Sequence, residues 1–230
     1  MKTLSLLTAG CLMAATTSFA HAAVIDPIVN GSFETSSGGS PDNWSTNQSA
    51  GAGAGATFTF TYVENASDAF DGDDYVSIQS DNNINGEASW RQNVTPLTGI
   101  DVAGGELFLL TFAYRFTNFD GNDEIRARLR ARDAGNTPLA DIDFDLDTTG
   151  TSTDWIEFTS SPITLPAGTV ELDPLAIFMR GGGNGFNSIG DPGDLASIDI
   201  DAVQITAVPE PTAAAGFLSL SALLLATRWR

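Results

Sequence analysis

Between its two ends the chain alternates apolar and polar residues in short runs, broken by Gly, Asn, Asp and Pro, with no long 3.6-residue period. That pattern predicts strands over 28–33, 56–64, 75–79, 88–94, 106–117, 124–131, 140–146, 155–160, 170–180 and 197–206. The stretch Thr57-Phe58-Thr59-Phe60-Thr61-Tyr62 alternates strictly, placing Phe58, Phe60 and Tyr62 on one face. In 106–117, Phe108, Leu110, Phe112, Tyr114 and Phe116 share a face opposite Leu107, Leu109, Thr111, Ala113 and Arg115. Around Trp90, the residues Ala88, Gln92 and Val94 share its face, which points to the core. Ten such strands with frequent turn signals predict a single antiparallel β-sandwich, all-β and of jelly-roll type. Residues 50–56 read as a Gly/Ala bridge, and 181–185 as a glycine turn without the Lys-Ser/Thr of a phosphate cradle.

One hairpin carries enough pattern to predict a register. Arg126, Arg128, Arg130 and Arg132 share one face, and Asp141, Asp143, Asp145 and Asp147 share one face. With a turn over 133–140, Arg132 meets Asp141, Arg130 meets Asp143, Arg128 meets Asp145 and Arg126 meets Asp147. The other face then pairs Ala131 with Ile142, Leu129 with Phe144 and Ala127 with Leu146. Two readings stand: a charge ladder worth a few tenths of a kcal/mol per rung, or a polar sheet face that grips sugar hydroxyls.

The two ends read as addresses. Lys2, the apolar run 4–15 and Ala20-His21-Ala22 form a signal peptide over 1–22. Val208-Pro209-Glu210-Pro211 precedes a charge-free run over 212–227, then Arg228-Trp229-Arg230. As helix, sixteen residues span about 24 Å, slightly short of a ~30 Å hydrocarbon core. Arg228 and Arg230 are placed to snorkel and to face the cytoplasm.

Removing the leader changes the chemistry available. The only Cys (Cys11), His (His21) and Lys (Lys2) lie within it. The domain over 23–207 is therefore left without a disulfide, a Cys/His nucleophile or base, a Schiff-base lysine or a His/Cys zinc site. Its seven arginines and 28 carboxylates leave it at −21. That field repels nucleic acid and favours cations.

Val208-Pro209-Glu210-Pro211, the short apolar run and the basic tail with Arg228 and Arg230 closely resemble the C-terminal signal of PEP-CTERM exported proteins. The resemblance implies processing by an exosortase-type enzyme and transient membrane anchoring. It also implies a final place at the bacterial cell surface or in an exopolysaccharide matrix. Within the domain, Asn30-Gly31-Ser32-Phe33-Glu34, Pro41-Asp42-Asn43-Trp44 and Ser197-Ile198-Asp199-Ile200-Asp201-Ala202-Val203 resemble the opening and closing segments of jelly-roll carbohydrate-binding modules and their galactose-binding-like relatives. Asp154-Trp155-Ile156-Glu157-Phe158 sits where those modules carry a Trp-initiated strand. The resemblance implies that first and last strands lie together, with a structural Ca2+ held by Glu34 and Asp201 and with Asp199 nearby. Ala202 departs from it, standing where a second Asp is expected. The Asp-rich turns 71–74 and 120–124 lack EF-hand spacing and read as loops.

The function expected is that of a non-catalytic exported protein whose sandwich binds polysaccharide. A purely structural or adhesive matrix protein competes with it, as does a glycoside hydrolase or lyase working with carboxylates alone.

Overall fold

The computed structural model describes residues 27–50, 58–80, 86–97, 102, 107–119, 123–147, 150–181 and 195–208. All fall within one compact unit, Ala23–Val208. Alternating sequence becomes strand throughout: β1 (Ser36–Ser37), β2 (Ser40–Pro41), β3 (Ser45–Ala50), β4 (Phe58–Glu64), β5 (Asp74–Ser80), β6 (Gly86–Val94) and β7 (Leu107–Phe119). They are followed by β8 (Asp123–Arg132), β9 (Pro138–Asp147), β10 (Gly150–Thr159), β11 (Ile163–Thr164), β12 (Glu171–Gly181) and β13 (Ser197–Ala207). No helix occurs among the described residues, so none there is long and apolar enough to cross a membrane. The expected signal peptide (1–22), the membrane helix (212–227), Pro209, Glu210, Pro211, Arg228 and Arg230 lie outside the described residues. Val208 is the last described position, and its N–H donates to the Leu107 carbonyl at 2.7 Å.

Two antiparallel sheets face each other, with β1 and β2 as a separate ribbon. One runs β10-β7-β13-β5-β4, with β11 also on β7; the other runs β3-β6-β12-β8-β9. Side chains of the two inner faces interdigitate between them. Trp90 of β6 meets Phe60 of β4 edge-on at 5.7 Å and donates its indole N–H to the Ser77 carbonyl at 3.2 Å. Phe144 of β9 meets Phe158 of β10 at 5.8 Å. The face of β7 predicted from Phe108, Leu110, Phe112, Tyr114 and Phe116 is buried. At ~25 cal/mol per Å2 of apolar area, such aromatic-rich faces dominate the stability of a sandwich.

Two expectations need correction. Residues 28–33 form a turn instead of a strand: Asn30 and Phe33 have φ of 56° and 62°, and Phe33 N–H donates to the Asn30 carbonyl at 3.1 Å. The Asn30 side chain closes this turn, bonding Thr35 N–H at 3.0 Å and the Thr35 carbonyl at 2.7 Å. The second concerns the β8–β9 hairpin, which has the predicted faces but a register two residues away. Arg130 pairs with Asp141, Arg128 with Asp143 and Arg126 with Asp145, while Leu129 meets Ile142 and Ala127 meets Phe144. The turn is shorter than expected. The Asp133 carboxylate accepts from Gly135 N–H at 2.8 Å and Thr137 N–H at 2.9 Å, and Asn136 takes φ 63°. Strand β9 therefore starts at Pro138. Arg132 leaves the ladder and donates to the Asp173 and Asn136 carbonyls instead.

Candidate functional site

The turn at 65–74 is a surface segment held by long-range hydrogen bonds. Its anchors come from the start and the end of the domain. The Glu34 Oε1 accepts from Asp73 N–H at 2.9 Å and Asp74 N–H at 3.1 Å. The Asp201 Oδ2 accepts from Phe70 N–H at 2.9 Å and Asp71 N–H at 3.0 Å, and its Oδ1 from Ala202 N–H at 2.6 Å. Gly72, at φ 73°, lies so close beneath Glu34 that a Cβ there would fall 2.2 Å from Oε1. The opening turn is pressed onto β13 in the same way. Gly31 accepts the Val203 N–H at 2.9 Å, and a Cβ on Gly31 would lie 2.0 Å from the Val203 carbonyl oxygen.

Strand β13 bends to make this possible. Ile198 and Ile200 face the core, as do Val203 and Ile205, so the phase changes between them. Ala202 takes φ 51°, and the pairing of β13 with β7 shifts between Asp201 and Gln204. One extra residue is accommodated as a bulge, which aims Asp201 at the 70–71 amides. Asp201 is wholly buried. Burial pushes its carboxyl up to about 6, against the amide bonds that favour the ionised form.

Glu34 and Asp201, singled out from the sequence, thus meet on one turn. Asp199 does not join them. It accepts from Arg115 Nε at 2.7 Å, across from it in the β13–β7 pairing. Arg115 also grips Asp68 through both terminal nitrogens, at 2.7 and 2.6 Å. Its guanidinium carbon lies 4.6 Å from the Trp155 ring centroid and 5.1 Å from that of Tyr75. Trp155 in turn donates to the Asp68 carbonyl at 2.8 Å. The pairing with Arg115 holds the Asp68 carboxyl below the ordinary carboxylate range.

Oxygen-only donors are what a calcium ion takes. Glu34 Oε2 has no partner among the described residues, and Asp201 has no cationic neighbour among them within ion-pair distance. Glu34 Oε1 and both Asp201 oxygens already accept backbone N–H groups, so an ion there would draw on Glu34 Oε2, backbone carbonyls and water for most of its six to eight oxygens. No group of three or more His, Cys, Asp or Glu converges among the described residues.

The second polar surface is the outer face of the five-stranded sheet. Arg128 holds Asp143 bidentately at 2.6 and 2.8 Å, and Arg130 holds Asp141 at 2.7 and 2.9 Å. Strand pairing sets Ser45, Arg91, Ala176, Arg128 and Asp143 in one row across all five strands. Asn47, Ser89, Phe178, Arg126 and Asp145 form the next row. Arg128 sits over the Phe178 ring at 5.7 Å, and the buried Ser89 Oγ has no hydrogen-bond partner among the described residues.

Sequence reasoning missed Phe70, Asp71 and Arg115. Arg115 lay at an outward position of a mostly apolar strand, which was the signal available. Nothing local marked the 70–71 amides as the target of Asp201, 130 residues away.

No protein-family model matches the chain, and no curated protein matches it in sequence. Among solved structures it resembles the enzymatically active domain of tailspike protein 4 of bacteriophage CBA120. The TM-score is 0.54 at 15% identity, over 80% of this chain and 22% of that one. It also resembles an arabinose-bound α-L-arabinofuranosidase, with TM-score 0.53 at 10% identity, over 81% of this chain and 27% of that one. The family 11 carbohydrate-binding module of a Clostridium thermocellum cellulosomal cellulase aligns at TM-score 0.47 and 14% identity, over 83% of this chain and 99% of that one. The chain thus spans about a quarter of the first two proteins. The likeness is one of fold, an antiparallel β-sandwich.

Proposed function

We propose that this is a non-catalytic exported protein, sorted to the bacterial surface or matrix through its Val208–Arg230 signal, whose sandwich binds polysaccharide on the outer face of the five-stranded sheet. The observation that carries this reading is the row Ser45–Arg91–Ala176–Arg128–Asp143. At its centre the small Ala176 stands between Arg91 and Arg128. Bidentate pairing fixes the Arg128 and Asp143 planes, and their outward edges meet sugar hydroxyls without first being ordered. Arg91 makes no ion pair among the described residues, so its donors are open to a ligand. An arabinose-bound enzyme carries the same fold in part of its chain, which accords with a glycan ligand.

Calcium, held by Glu34 and Asp201, would tie the opening turn, the 70–74 turn and the last strand together, a structural role. The non-catalytic reading is supported by the place of Asp201. Among the described carboxyls, the one with a raised pKa is sealed among amides instead of facing a cleft.

The competing reading, a structural matrix protein, draws on the closed Arg–Asp rungs, which satisfy one another without a ligand. The test is co-sedimentation of the full-length protein, in mild detergent, with exopolysaccharide of the producing cell. The glycan reading expects retention that Arg91→Ala weakens at least tenfold. Absence of retention sinks it and leaves the structural reading.

A further inference from the structure

The face of the six-stranded sheet that points away from the core carries a hollow of about 170 Å3, built where β13 bulges beside β7. Its floor is Ala113, which pairs with Glu157 of β10 on one side and with Asp201 of β13 on the other. The bulge at Ala202 turns Asp201 away to the 70–71 amides, and Ala113 and Ala202 offer only methyl groups to the gap. Phe70 and Asp71 form one wall, and Glu157, Thr111 and Gln204 line the hollow together with Phe112 and Ala202.

Four features give the hollow a chemical preference. Its two charged side chains, Asp71 and Glu157, are both anionic, and both are exposed. Arg115, the arginine of this sheet face, is consumed by Asp68 and Asp199. Phe70 remains 45% exposed although it packs on Trp155 at 6.2 Å, so an aromatic surface faces solvent beside the carboxylates. Gln204 and Thr111, paired across β13 and β7, add an amide and a hydroxyl. The wall is preorganised: the amides of Phe70 and Asp71 are fixed by Asp201, and the preceding residues by Arg115 and Trp155.

We propose that this hollow binds an amino-sugar residue bearing a free ammonium group. An ammonium gains charge-assisted hydrogen bonds from Asp71 and Glu157 and is attracted to an aromatic face. The apolar side of a pyranose ring covers Phe70, while its hydroxyls pair with Gln204 and Thr111. A neutral sugar forfeits the charge term, and an acidic sugar is repelled by both carboxylates. A bare divalent cation finds two carboxylates here and would lack most of its six to eight oxygens. The site uses none of the residues of the five-stranded face, so it stands or falls apart from the reading above.

The experiment is calorimetric titration of the full-length protein with glucosamine, N-acetylglucosamine, glucose and calcium chloride. Saturable glucosamine binding is expected, at least tenfold tighter than either other sugar. Glu157→Gln and Phe70→Ala should each weaken it at least tenfold, and Glu157→Gln should leave the melting temperature unchanged, since that side chain is exposed. Arg91→Ala on the other sheet should leave it unaltered. Equal affinity for the acetylated sugar, no saturation at tens of millimolar, or displacement of glucosamine by calcium at lower concentration would each overturn the proposal.

Discussion

Asp201 and Phe70 stand 131 residues apart and are joined by a hydrogen bond of 2.9 Å from the Phe70 amide to a wholly buried carboxylate. The same oxygen holds Asp71, so one side chain of the last strand fixes the turn that follows β4. Replacing Asp201 by Asn sets an amide N–H2 or a weaker carbonyl against three backbone donors. The expected cost is about 2–3 kcal/mol in urea denaturation, the range for hydrogen bonds to charged groups. Hydrogen exchange at Phe70 and Asp71 should accelerate with it. A loss below about 0.5 kcal/mol would show that the turn is held elsewhere.

Gly31 and Gly38 separate close approach from backbone conformation. A Cβ on Gly31 meets the backbone carbonyl of Val203, which cannot step aside. Gly31→Ala should cost about 3 kcal/mol, at the top of the range for overpacking. Gly38 has φ 65° but nothing within 4 Å, so Gly38→Ala should cost about 1–2 kcal/mol, the strain of the left-handed region. Equal costs would mean that the opening turn does not press on β13.

The ladder on β8 and β9 sets a pH dependence. Hydrogen bonding from Arg128 and Arg130 holds Asp143 and Asp141 below the ordinary carboxylate range. A carboxyl depressed in the folded state adds stability above its unfolded pKa of about 3.9 and loses it as pH falls through the folded value. Stability should therefore decline as the pH drops below about 4. Arg128→Gln should raise the Asp143 carboxyl pKa, read by carbon NMR. An unmoved titration would show that the pair is not formed in solution.

Calcium offers a ligand test of the two clamping carboxylates. At a concentration 100 times its Kd a bound ion adds about 2.7 kcal/mol, which in a domain of this size raises Tm by roughly 5–10 °C. Chelation should reverse the rise. Glu34→Gln and Asp201→Asn should abolish it, while Asp199→Asn should keep it, because Asp199 is engaged by Arg115. A rise that survives loss of Glu34 would place the ion elsewhere.

The sequence by itself determined which residues face inward and that the domain is all-β. A period of two is a local property, and Phe108 to Phe116 or Ala88 to Val94 display it without help from the rest of the chain. It also put the four arginines and their aspartates on common faces. It could not choose their register, since a slip of two residues returns every side chain to the same face and still sets Arg against Asp. The Asp133–Thr137 turn made that choice, through bonds that no alternation records. Likewise the motifs brought Glu34 and Asp201 into view, but only the bulge at Ala202 aims Asp201 at Phe70 and leaves Asp199 to Arg115. The hollow over Ala113 exists for the same reason. It is made by strands 40 to 90 residues apart meeting at one irregularity, and tertiary pairing alone decides where that falls.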